Sequence, residues 1–341
     1  MIFALLFAAA APPPQPGPLK LFRDWTVGCD NVRNCQAVGL LHDMADEGGL
    51  TMSVARGAGA DAPVRIVVGP ELGGSDAPNG VVALAADGKR LPVRLRAEGS
   101  GAAVEASGVP AVLAALRSAT KLEALDKDGK SLGTISLAGA SAALLYMDDR
   151  QQRVGTVTAL ARPGPKPASA VPPPPPPPEI SVPAPSSKPP RKMPLATAAA
   201  LRKKACDSGQ PDDGAEAETY RLDAAHTLAL VPDHCDSGAY NQASLVYVGA
   251  DAGPWLPARY DTDKPGTDDA GSGPVAYNVG WDAKSGTLDM FMKGRGLGDC
   301  GTRQSFAWDG TRFRLVEQAE MGECRGSIDW IPTWGAKPVR R

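Results

Sequence analysis

Seven consecutive prolines, Pro172 to Pro178, place the strongest constraint on what this chain can fold into. Proline lacks a backbone N–H and locks φ, so the run is forced into an extended polyproline II rod rising about 3.1 Å per residue. The run sits inside RPGPKPASAVPPPPPPPEISVPAPSSKPPRKMP, residues 162–194, a composition that cannot bury a core of its own. It divides the 341 residues into a leader at 1–18, a domain at 19–161, a basic proline-rich linker at 162–194 and an acidic domain at 195–341. The linker is expected to be a solvated spacer. Docking to an aromatic-lined groove, or attraction to an anionic envelope surface, is the sharper alternative.

Charge follows the same division. Residues 1–161 carry 15 Lys and Arg against 16 Asp and Glu, residues 162–205 carry 8 against 1, and residues 206–341 carry 13 against 21. An acidic C-terminal part is repelled by phosphate backbones, which argues against a nucleic-acid partner. The apolar run Ile2 to Ala11 is too short to span a bilayer. It suits the core of a secretory signal, with Ala9-x-Ala11 as a cleavage site, and points to a periplasmic or secreted protein without a transmembrane span.

Short alternating runs dominate both halves and predict a mainly β fold with a few short helices, arranged as two sandwich-like or barrel-like domains. Asp87-Gly88 and Asp128-Gly129 each sit between apolar runs, a hairpin signal, and Asp309-Gly310 reads as a two-residue type I′ turn. Helices are expected at SGVPAVLAALRS with Ser107 as N-cap, at GASAALLYMDDRQQR, and at LATAAALRKKAC. Asp148 and Asp149 are adjacent, so on a helix they point apart and form a charged helix end.

The six cysteines, Cys29, Cys35, Cys206, Cys235, Cys300 and Cys324, form an even set in a chain expected to be exported, which favours disulfides. Trp25, Val27 and Cys29 alternate, as do Cys35 and Ala37, around the turn formers Asp30, Asn31 and Asn34. The stretch reads as a hairpin with a five-residue loop and its two cysteines opposed at the mouth. Three pairings remain open for the other four. By chain entropy a Cys29–Cys35 bond contributes about 2.4 kcal/mol, and a bond such as Cys300–Cys324 about 3.5 kcal/mol.

FRDWTVGCDNVRNCQAVG, then ALLYMDDRQQRVGTVTALARPG, then CDSGAYN and GRGLGDCG…FAWDGTRFRLVEQ…CRG, taken in order, resemble a proteobacterial secreted family known as domain of unknown function 1176. The resemblance extends over residues 22–161 and 206–334. It implies an exported, periplasmic location and no particular reaction. The opening Phe-x-Asp-Trp and cysteine pair is also distantly similar to invasion-associated locus B proteins of the bacterial envelope.

Candidate chemistry is sparse. GLGDCG, residues 296–301, matches a dinucleotide glycine pattern but is followed by a strand-like run rather than a helix. Asp261, Asp263 and Asp269 form a weak cation candidate in an acidic loop whose twelfth position is Ser272, not the bidentate Glu of a calcium loop. His234 beside Cys235 would need a free thiolate to act as a catalytic pair. Asp236, Ser237, Tyr240 and Asn241 could line a recognition surface or form a turn held by side-chain hydrogen bonds. The expectation is a non-enzymatic envelope protein without a cofactor, whose partner is another envelope protein or a cell-surface polymer. A periplasmic hydrolase of cell-wall or surface polymers is the alternative.

Overall fold

Apolar residues in the first half build one antiparallel sheet whose central strands are buried on both faces. Its strands are β1 (Lys20–Phe22), β2 (Trp25–Cys29), β3 (Cys35–Gly39), β4 (Thr51–Arg56), β5 (Val64–Gly69), β8 (Leu95–Glu98) and β9 (Gly101–Val104), in the order β1-β2-β3-β4-β5-β9-β8. A second sheet is formed by β6 (Ala83–Ala86), β7 (Lys89–Arg90), β10 (Leu122–Leu125) and β11 (Ser131–Ile135). Helices α1 (Val109–Ser118) and α2 (Ala140–Arg150) complete the layer that buries Trp25, Val27, Met52, Val54, Ile66, Leu84, Leu116, Leu122 and Leu144. The structure, a computed structural model, describes residues 12–42, 50–69, 80–99, 101–205, 214–262 and 275–340.

The turns show where local chemistry decides. Ala86 pairs with Lys89 across Asp87 and Gly88, whose φ values are 49° and 76°. Positive φ at both central residues is the type I′ requirement, as expected from Asp-Gly. Asp309-Gly310 behaves differently: Trp308 pairs with Phe313, leaving a four-residue loop. The Asp309 carboxylate accepts the N–H groups of Thr311 and Arg312 at 2.8 and 2.9 Å, and only Gly310 has positive φ. A side chain that captures nearby amides thus widens the turn beyond the predicted two residues. Ser107 is not the N-cap of α1; it lies in a preceding 3-10 turn, and Gly108 occupies the cap.

The second half is two packed antiparallel sheets. One contains β13 (Glu218–Arg221), β14 (His226–Asp233), β15 (Ala243–Ala250), β16 (Trp255–Pro257) and β17 (Val275–Tyr277). The other runs in the order β18 (Gly280–Asp282), β19 (Thr287–Lys293), β20 (Gly301–Trp308), β21 (Phe313–Met321) and β22 (Ile331–Gly335). Leu228, Leu230, Val246, Leu288, Phe306, Phe313 and Leu315 fill the space between them. Helix α3 (Leu195–Ala205) packs beside the first of these sheets through Ala198. The sheets remain open; no barrel closes among the described residues. No described helix is long and apolar enough to cross a membrane.

The proline-rich segment has a different role from the one expected of a solvated spacer. Val171, Ile180 and Met193 are buried along it. Strand β12 (Glu179–Val182) pairs in parallel with β23 (Lys337–Arg340), and Ile180 packs on Ala307 and Val316 of the outer face of the β18–β22 sheet. The seven prolines themselves stay largely exposed; the buried contacts come from Val171, Ile180 and Met193, and the segment that follows the rod lies as a strap across the C-terminal half.

The two halves also meet directly. Val38 and Leu40 of the first sheet region pack with Cys300, Met321, Trp330 and Ile331. Asn31 exchanges two hydrogen bonds with the Gly335 backbone, at 3.0 and 2.8 Å, and Gly17 N–H donates to Thr333 O at 2.8 Å.

Candidate functional site

A cleft of about 570 Å³ opens between the strap and the C-terminal sandwich. Strands β13 and β18 are the edges of their sheets, and their divergence leaves the cleft that the strap roofs. Tyr220, Trp281 and Trp308 supply aromatic wall, Pro183, Pro185, Pro190 and Pro338 supply rings from the strap side, and Arg221 and Arg340 supply charge. The volume falls in the usual range of small-molecule sites, roughly 300–1,000 Å³.

The walls are held by hydrogen bonds that leave few polar groups free. Trp308 Nε1 donates to Asp223 Oδ2 at 2.7 Å, and the same carboxylate accepts the N–H groups of Ala225 and His226 and faces the His226 ring at 2.9 Å. Burial alone would push the Asp223 carboxyl up, but these bonds together hold it below its ordinary value. Tyr220 donates to Glu218 Oε2 at 2.5 Å, and that bond, with burial, pushes the phenol up. Arg221 donates to Asp251 Oδ1 at 2.8 Å and also to Pro189 O, so it ties the strap to β13. Arg191 donates to Ala250 O and Gly253 O at 2.8 and 2.9 Å and stacks on Trp255, and Lys188 pairs with Asp251. Arg340 is exposed and has no acidic partner among the described residues. The arrangement can grip an extended, partly apolar segment; its histidine–carboxylate pair is spent on orienting Trp308.

The residues singled out from sequence lie elsewhere. Ser237 donates to Asp233 O at 2.6 Å and accepts from Ala243 N–H at 2.8 Å. Asn241 is buried and clamps Lys293 through both its amide atoms, and it accepts from Asn278 at 2.9 Å. Those two side chains face inward and hold a turn, while Asp236 and Tyr240 are exposed. The Asp261 carboxylate is committed to Arg314 Nε at 2.7 Å and Leu315 N–H at 2.9 Å. Asp263 and Asp269 lie outside the described residues. Gly301, which ends the dinucleotide-like pattern, begins strand β20, and Cys300 bonds Cys324. Cys29 and Cys35 are register partners with Cα atoms 4.0 Å apart and joined, as the hairpin reading required. Cys235 is also disulfide-bonded, and Cys206 lies outside the described residues.

Sequence reasoning missed the polar network at the junction of the halves. Arg325 donates to Leu41 O at 2.7 Å, Arg23 O at 3.1 Å, His42 O at 3.2 Å and Asp24 Oδ1 at 2.6 Å. Asp24 also accepts from Ser136 at 2.6 Å and faces His42. Burial would raise this carboxyl, but Ser136, Arg325 and His42 outweigh it and lower it. Asp299, wholly buried, accepts from Gly326 N–H at 2.8 Å and pairs with Arg295. Asp148 is not part of a charged helix end: it is buried and accepts from Leu160 and Ala161 N–H at 2.8 Å each. A helix pattern alone cannot reveal such a cap, because its amide donors lie on a segment 12 and 13 residues away. The available signal was motif membership: Asp24, Asp148, Asp299 and Arg325 all fall inside the four motifs quoted above.

Fold and site together define a mainly β protein with open sheets, bearing disulfides and a strapped aromatic cleft. The chain belongs to the protein family of unknown function DUF1176, whose match covers residues 19–337. It is similar to the Uncharacterized protein YpfG of Escherichia coli (strain K12), with 31% identity over 365 aligned residues and 98% of each chain covered. No solved structure matches this chain.

Proposed function

We propose that the protein is an exported, periplasmic or secreted binding module of the cell envelope, acting without catalysis, and that the cleft beneath the strap is where it holds its partner. The observation that carries this reading is the cleft: three aromatic rings and four prolines face one space of about 570 Å³. Aromatic and proline rings present large apolar area that loses little conformational entropy on binding. The disulfides support export, since such bonds persist in oxidising compartments. The partner is an envelope protein or a surface polymer that can enter as an extended segment.

The test is a photo-crosslinking amino acid placed at Trp281 in cells, with Asp128 as the control position on an exposed hairpin. A specific adduct at position 281, absent at 128, is the expected result. Equal labelling at both positions, or none at 281, rejects the cleft as the binding site.

A further inference from the structure

We infer that the partner enters the cleft as an extended peptide, added as a strand along the free edge of β13. The inference rests on the reading of the cleft as a binding site and names the class of its occupant. Opposed residues in an antiparallel pair alternate: one pair exchanges both backbone hydrogen bonds, the next turns its amides outward. Leu222 N–H donates to His226 O at 3.0 Å, which places that pair at a hydrogen-bonded position of the ladder, although the His226 N–H itself goes to the Asp223 carboxylate. Two residues earlier, Tyr220 opposite Leu228 is again at a hydrogen-bonded position. Thr219, opposite Ala229, and Arg221, opposite Thr227, therefore turn their N–H and C=O groups away from β14. No strand pairs with β13 on that side among the described residues. Both Thr219 and Arg221 line the cleft.

Two outward amide pairs separated by about 6.8 Å match the two-residue repeat of an extended polypeptide. An unpaired edge of this kind is a template for another strand. The opposite wall contributes prolines, which have no N–H to donate, so pairing is confined to the β13 side. Charge selects further. The Arg221 guanidinium is matched by Asp251, whereas Arg340 faces the same space without an acid. The peptide class is thus an extended segment with an acidic side chain for Arg340 and an apolar one for Trp281.

The experiment uses the oxidised full chain and a random dodecapeptide library displayed on phage. The best binder is synthesised and titrated by tryptophan fluorescence. N-methylation of its backbone at alternate residues should weaken binding by about tenfold or more in one parity and by less than about threefold in the other. Thr219→Pro, which removes an outward N–H and leaves the β14 ladder intact, should weaken binding by about tenfold. Arg340→Glu should weaken binding to the acidic peptide, and replacing the peptide's acid with Lys should restore it. Loss without parity dependence, or no selected peptide at all, overturns the inference. The parity test does not depend on how Thr219→Pro folds. A position-281 crosslink to a polysaccharide, with empty peptide selections, would leave the binding site standing and remove the peptide.

Discussion

Replacing Arg325 with Met tests whether the junction of the two halves is an energetic coupling or a mere contact. Met keeps much of the apolar stem and deletes the guanidinium with its four acceptors, Leu41 O, Arg23 O, His42 O and Asp24 Oδ1. The Asp24 side chain is 8% exposed and Arg325 19%, so the pair is partly screened. Breaking a fully buried pair costs about 3–5 kcal/mol; partial exposure of the arginine sets the expectation at about 3 kcal/mol. For a chain of this size that corresponds to a fall in Tm of roughly 4 °C. Urea unfolding of the oxidised protein, followed by tryptophan fluorescence, measures the cost, and Asp24→Asn completes a double-mutant cycle. The coupling energy should be about 2 kcal/mol. If the two single losses add to within about 0.5 kcal/mol, the ion pair does not join the halves and the reasoning fails.

Acid should act on the same network: Asp24 and Asp299 are both held below the ordinary carboxylate range, so their contribution is complete above about pH 4 and is lost as pH falls through their lowered values, measurable as urea midpoints against pH. An unchanged midpoint in acid would contradict this. Asp148→Ala orphans the Leu160 and Ala161 amides and should cost about 2–4 kcal/mol; a loss below about 0.5 kcal/mol would show that water replaces the carboxylate. Gly139→Ala should fail to fold or lose more than about 3 kcal/mol, because φ is 100° and a Cβ there would stand 1.7 Å from Phe22 O; near-native thermal stability would count against that geometry. Trp281→Ala, which removes a partly buried ring packed against the sandwich core, should weaken binding of the selected peptide by about tenfold in a calorimetric titration; unchanged affinity would remove Trp281 from the binding wall.

Much of the local structure was legible from residue order because it depends on near neighbours. Alternation marked the strands, Asp87-Gly88 set a tight turn, and Cys29 and Cys35 had to face each other once Asp30, Asn31 and Asn34 closed the loop. Helices α2 and α3 followed their Ala- and Leu-rich runs. Where side chains compete for nearby amides, as at Asp309, the same reasoning gave the hairpin and missed the width of its turn.

The long-range partners belong to tertiary structure. Asp24 meets Arg325 across 301 residues, and Ile180, which follows a proline run that composition marks as unable to build a core, packs on Ala307 and Val316 of other strands. Sequence by itself determined that the chain would be mainly β, carry disulfides and be interrupted by a stiff extended rod, because backbone sterics and period-two burial act locally. Only the tertiary structure decided that the rod becomes a strap, that buried charges knit the two halves, and that a cleft opens between β13 and β18. Those outcomes depend on which apolar faces and unpaired groups meet in space, and separation along the chain carries no record of that.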